Sequence, residues 1–116
     1  MKTASFFTYA GPGRISIARY PPRRTPAGYR VYKALAPGPW FNSVSRAEYE
    51  DLYAQQLAQL DPATVWEQLH QLAGVHEPVL LCWERPPFSE SNWCHRRIAA
   101  AWLRDALQVE ISELPE

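Results

Sequence analysis

"PVLLCWERPPFSESNWCHRRIAAAWLRDALQVEISEL", residues 78–114, decides how this chain is read. It opens on a short continuous apolar run, 78–83, of the kind that forms a strand buried on both faces. A Pro- and Ser-rich stretch interrupts it. A helix is then expected over 92–108, with Asn92 as its cap, and a last short strand over 109–114. Strand, helix and strand in that order describe a parallel crossover.

Working outward, the preceding residues supply two more helices. Ser45 with Glu48 three residues later is a capping box, and Tyr49, Leu52, Tyr53, Leu57 and Leu60 follow at helical spacing. Asp61, Pro62 and Gly74 then punctuate a second helix over 61–74 as N-cap, first residue and stop. At the other end, 2–9 and 14–20 read as strands separated by Gly11-Pro12-Gly13. From Pro21 to Ser45 no helical period appears, and a long ordered loop is expected, with one short strand within 29–35. The fold class is α/β: one layered domain over 1–116, its small, mostly parallel sheet of about four to five strands flanked by helices.

Composition bounds the function. Five Trp and six Tyr in 116 residues provide a large aromatic area for packing or for a pocket. No apolar run approaches the roughly 20 residues of a membrane span. "MKTASFFTYAGPG" (1–13) lacks the long apolar centre of a signal peptide, so a cytoplasmic location is expected, with both cysteines reduced. The formal charge of zero conceals an asymmetry. Residues 1–47 carry eight basic side chains and no acidic one, and 48–116 carry four basic and twelve acidic. Such unevenness marks an anion-binding face or merely neutralises across the surface.

Both cysteines lie in 82–97, "CWERPPFSESNWCHRR". In a parallel sheet the carboxyl end of a strand and the start of the next helix share a crevice where ligands bind. Cys82 and Cys94 are expected at that edge. Unpaired helix N–H groups favour anions there, and Arg96, Arg97 and a protonated His95 would add to the field. The same field would activate Cys94 as a nucleophile, with Cys82 the other candidate, and His95 and Glu84 complete the catalytic candidates. The plainer alternative makes Cys94 a small packed residue and leaves both arginines solvated. Glu84, two residues after Cys82, is either a general base, an orienter of His95 or half of an ion pair with an arginine. A metal held by Cys82, Cys94 and His95 is a second option, with His70 or His76 nearby. Adjacent Cys and His rarely both reach one ion, so neither metal nor cofactor is expected. A Cys82–Cys94 disulfide suits their proximity but not the compartment. Arg19, at the end of the second strand, should leave the sheet beside Cys82 if the two strands run parallel. Its planar fork suits phosphate or carboxylate. Arg23 and Lys33, interleaved with Tyr20, Tyr29, Tyr32 and Trp40, complete the candidate ligand-binding residues and would suit stacked bases and phosphates.

The helix pair at 47–74, "PVLLCWE", "NWCHRRIAAAWL" and "VEISEL" together resemble the domain-of-unknown-function family numbered 488. That family runs from a Tyr-rich helix through a Leu-Asp-Pro helix to a strand ending in Cys-x-Glu and a Cys-His-Arg helix. The likeness covers most of the chain from Arg14 onward, and "ARYPPRR" (18–24) looks like the family's early arginine-proline stretch. The chain is similar to a compact bacterial or phage-type branch, and departs in its shortness and in the insert "RPPFSES". The resemblance implies motif positions at Arg19, Cys82, Glu84, Cys94, His95 and Arg96, and implies no reaction. From the residues, the expectation is a cytosolic protein binding a phosphate-bearing small molecule or nucleotide in a Cys/His/Arg crevice, with thiol-dependent catalysis left open. The alternative is a non-catalytic nucleic-acid-binding or regulatory module using 14–46.

Overall fold

The computed structural model describes residues 1–114. Five strands, β1 (Lys2–Ser5), β2 (Arg14–Ser16), β3 (Arg30–Val31), β4 (Val79–Cys82) and β5 (Ser112–Glu113), form one sheet in the order β3-β2-β4-β1-β5. All four neighbouring pairs are parallel, with Ser5 opposite Cys82 and Ser16 opposite Leu81. The α/β class and the parallel sheet are as expected from the sequence.

Three helices, α1 (Arg46–Ala58), α2 (Pro62–Ala73) and α3 (His95–Leu107), cover the sheet. Strand alternation sorts the core into two layers. Ile15, Ile17 and Leu80 pack with Tyr53, Leu69 and Leu103 of the helices. Ala4, Val79 and Leu81 point the other way, beneath Phe6, Ala18 and Tyr29 of the connecting segments, with the Phe6 and Tyr29 rings edge-on at 5.4 Å. No helical residue joins this second cluster among the described residues, so the helices lie against one face.

The caps follow the sequence. Ser45 Oγ accepts from Glu48 N at 3.2 Å, and Asp61 Oδ2 accepts from Thr64 N at 3.0 Å. α3 differs: it starts at His95, and its N-cap is Cys94 rather than Asn92. Asn92 has other work, donating from Nδ2 to the carbonyls of Arg85 and Pro87 at 2.7 and 2.8 Å and so tying the preceding loop into a knot. β2 is also shorter than 14–20. After Ile17 N donates to Leu81 O, the Ile17 carbonyl turns to a side chain of α3 and leaves the ladder.

The 21–45 segment has little regular structure, yet several of its carbonyls accept from side chains of neighbouring elements. Tyr53 Oη donates to Leu35 O at 2.7 Å, and Gln56 Nε2 donates to Ala36 O at 2.6 Å. Arg14 holds the carbonyls of Pro26 and Ala27 at 2.8 and 2.7 Å. A loop whose polar backbone is paired from neighbouring helices can sit against the core without a desolvation penalty. Among the described residues no helix is long and apolar enough to cross a membrane.

Candidate functional site

The strand order creates the crevice. From β2 the chain moves outward to β3, whereas from β4 it moves the opposite way, over β1 to β5. Their connections diverge, which opens a gap at the carboxyl ends of β2 and β4. A cavity of about 490 Å³ occupies it. Arg19 and Tyr20 enter from β2, Cys82, Trp83 and Glu84 from β4, and Trp93, Cys94 and His95 from the start of α3. Tyr49 of α1 and Phe41 of the long loop close the walls. Arg19 and the Cys-His turn thus line one cavity, as the parallel pairing of β2 with β4 requires.

Cys82 and Cys94 are joined as a disulfide, with Cα atoms 7.0 Å apart, and no described cysteine is free. This corrects the expectation of reduced thiols. The end of β4 and the N-cap of α3 converge closely enough for their sulfurs to bond, whatever the intervening loop length. A nucleophilic Cys94 therefore belongs only to the opened form. Both sulfur residues are nearly inaccessible, Cys82 at 1% and Cys94 at 5% exposure, and both line the cavity.

His95 is held in one tautomer. Its Nε2 lies 2.6 Å from the Ile17 carbonyl, which can only accept, so Nε2 carries the hydrogen and Nδ1 keeps a lone pair. That Nδ1 faces Cys94 Sγ at 3.8 Å, with the Tyr53 ring edge-on behind the imidazole at 5.4 Å. Burial drives its pKa down to about 4, and the Arg96 charge pushes the same way, against the Ile17 bond. The expected protonated His95 is corrected: the imidazole is neutral near pH 7 and adds no cation.

Arg96 does not line the cavity either. It has no exposed surface, and Nε and Nη2 grip both oxygens of Glu113 at 3.0 and 2.7 Å. Its guanidinium also lies over the Phe88 ring at 4.9 Å and reaches Cys82 Sγ with Nη1 at 3.6 Å. A cation without solvent needs such pairing, so Arg96 fastens α3 to β5. Arg97 is half-buried and braces Thr3 Oγ1 at 2.9 Å and the Ile111 carbonyl. Arg23 and Lys33 are exposed and outside the cavity wall. Of the predicted ligand-binding residues, the crevice retains Arg19. Arg19 donates to the Pro37 carbonyl at 3.2 Å, lies beside the Tyr20 ring, and has no acidic partner among the described residues.

Glu84 Oε2 lies 3.3 Å from Cys82 Sγ, and the carboxylate forms no ion pair among the described residues. Burial pushes its pKa up, opposed by its own backbone N–H and by Arg96. It is a carboxyl placed within reach of a sulfur.

Sequence reasoning passed over the aromatic walls. Tyr49 reads as an apolar-stripe residue of α1, yet its ring meets Trp93 edge-on at 4.7 Å and Trp40 at 5.0 Å inside the site. Burial and the Glu84 charge hold its phenol well above the usual range. The available signals were the aromatic excess and the position of Trp93 immediately before Cys94. The metal option also looks different in three dimensions. Cys94 is extended at the N-cap while His95 is already helical, and this brings one ligand atom each from Cys82, Cys94 and His95 within 4.8 Å of one another. While bridged, the sulfurs lack the thiolate charge that a soft metal needs.

No family model matches this chain, and neither a curated protein nor a solved structure matches it.

Proposed function

We propose that the protein binds a small phosphate-bearing molecule with a planar ring, of the nucleotide class, in the crevice between β2 and β4. The observation that carries this proposal is Arg19, the cavity's arginine, half-buried and without an acidic partner among the described residues. A guanidinium in that position has free donors for a phosphate, and a charge-assisted pair away from bulk water is strong. Trp83, Trp93, Tyr49 and Phe41 offer faces and edges to a ring, and the volume suits a ligand of this size. In the opened form Cys94 would be the nucleophile of any thiol chemistry on that ligand, with His95 Nδ1 at 3.8 Å as its base. The proposal keeps the cytosolic setting and the likeness to family 488, of whose six motif positions Arg19, Cys82, Glu84, Cys94 and His95 line the cavity and Arg96 does not.

The nucleic-acid alternative draws less support. Arg14 is spent on the carbonyls of Gly11, Pro26 and Ala27, and Arg46 pairs with Glu50. The test is titration of the purified protein with AMP, GMP and inorganic phosphate, read by quenching of the wall tryptophans and by calorimetry. A nucleoside monophosphate should saturate, and Arg19→Ala should weaken it about tenfold or more, the size of a lost charged hydrogen bond. Absence of saturable binding, or equal binding by Arg19→Ala, overturns the proposal.

A further inference from the structure

The Cys82–Cys94 bridge is placed unlike a structural staple. It lines a cavity, and each sulfur has groups around it that suit a leaving thiolate. Cys82 Sγ has Arg96 Nη1 at 3.6 Å and Glu84 Oε2 at 3.3 Å. Cys94 occupies the N-cap of a thirteen-residue helix and makes no side-chain capping bond, so the first N–H groups of α3 are not taken up by a capping side chain. Those groups carry partial positive charge and stabilise a thiolate. His95 Nδ1, fixed as a lone pair by the Ile17 carbonyl, adds an acceptor at 3.8 Å. Arg96 is held there by Glu113, and nothing in the packing of β4 against α3 calls for the Glu84 carboxyl beside the sulfurs. A centre for sulfur exchange calls for one.

We infer that Cys82 and Cys94 form a thiol–disulfide exchange centre whose substrates are low-molecular-weight thiols and their disulfides, admitted through the cavity. An incoming thiolate attacks the sulfur of Cys94, the more exposed residue of the two. A bond forms between the substrate sulfur and Cys94, the Cys82–Cys94 bond breaks, and its electron pair leaves on Cys82. Arg96 faces the new thiolate, and the Glu84 carboxyl, 3.3 Å from that sulfur, passes it a proton taken up from solvent. A second substrate thiolate then attacks the substrate sulfur of the mixed disulfide. That bond breaks with its pair on Cys94, which is protonated from solvent at the head of α3. Two substrate thiols have become one disulfide, and the bridge has become two thiols. The two protons released by the substrate balance the two taken up by the cysteines. In reverse, the same steps reduce a small disulfide at the expense of the dithiol.

The experiment equilibrates the folded wild-type protein with reduced and oxidised glutathione at stepped ratios. Samples are quenched with acid and alkylated with iodoacetamide, and the added mass is read. The pair should pass fully between no alkyl group and two as the ratio changes, with far-UV circular dichroism unchanged. Cys82→Ala should trap one glutathione on Cys94, while Cys94→Ala should leave Cys82 without one. Glu84→Gln should slow opening about tenfold, through loss of a proton donor to the leaving sulfur, without a matching loss of thermal stability. A bridge that opens only in denaturant overturns the inference in the wild-type chain, whether or not the variants fold. Equal trapping on both single cysteines also overturns it. Because no nucleotide enters this assay, failure to bind nucleotides leaves the exchange centre standing, and the converse holds.

Discussion

His95 should make the protein acid-sensitive by an amount that the structure sets. In the unfolded chain its imidazole returns to the ordinary value of 6.5, whereas in the fold it stays neutral down to about 4. Between those values the unfolded state binds a proton that the folded state refuses, so the free energy of unfolding rises with pH across that window. The stability is complete above about pH 6.5 and is lost as pH falls towards 4. The interval corresponds to about 3 kcal/mol, a sizeable share of the roughly 5–15 kcal/mol that a domain has in total. The perturbation is His95→Gln, which keeps an N–H donor for the Ile17 carbonyl and removes the titration. Urea unfolding of both proteins, without reductant, should be followed from about pH 8 to about pH 4. Relative to the variant, the wild type should lose about 3 kcal/mol on acidification, with the change centred between 4 and 6.5. Every other side chain is common to the two proteins, so its contribution cancels. Glu84 acts with the opposite sign, because a carboxyl raised by burial loses stability as pH rises through its folded value, and it too is common to both. Parallel curves for the two proteins would show that His95 titrates alike folded and unfolded, and would refute the assignment of a buried neutral imidazole.

Two further outcomes follow from packing. Glu113→Gln strips the fully buried Arg96 of its counter-charge and should cost about 3–5 kcal/mol in chemical denaturation, far more than the same change at exposed Glu50; a cost near zero would mean that Arg96 is solvated. Gly13 has φ +82°, and a Cβ there would strike the Glu77 carbonyl, so Gly13→Ala should cost at least about 2 kcal/mol by thermal melt, and an unchanged melting temperature would remove the close approach of β2 to β4.

Residues 78–114 made the parallel crossover legible, because a short apolar run, a breaker-rich loop and an amphipathic helix are local patterns with different periods. The caps at Ser45 and Asp61 were equally local, and both are found where the sequence placed them. Asn92 was not, since its side chain closes on carbonyls five and seven residues back instead of on the helix, a choice that one capping rule does not weigh. The crevice itself was legible as an edge shared by Arg19, Cys82 and Cys94, since parallel strands bring their carboxyl ends to one side.

What each of those residues does there was decided only in three dimensions. Arg96 and Arg97 are adjacent basic residues indistinguishable by composition, yet β5 brings Glu113 to Arg96 and consumes its charge inside the protein. The Ile17 carbonyl, seventy-eight residues away in sequence, selects the tautomer of His95 and burial keeps it neutral. The bridge between Cys82 and Cys94 depends on β4 and α3 meeting at one edge. Sequence by itself determined the elements, their order and the edge at which chemistry-bearing side chains gather, because these follow from local periodicity and from the geometry of parallel crossovers. The charge, protonation and bonding of those side chains were left to the tertiary structure, because each depends on desolvation and on partners brought from distant parts of the chain, and neither is encoded in spacing.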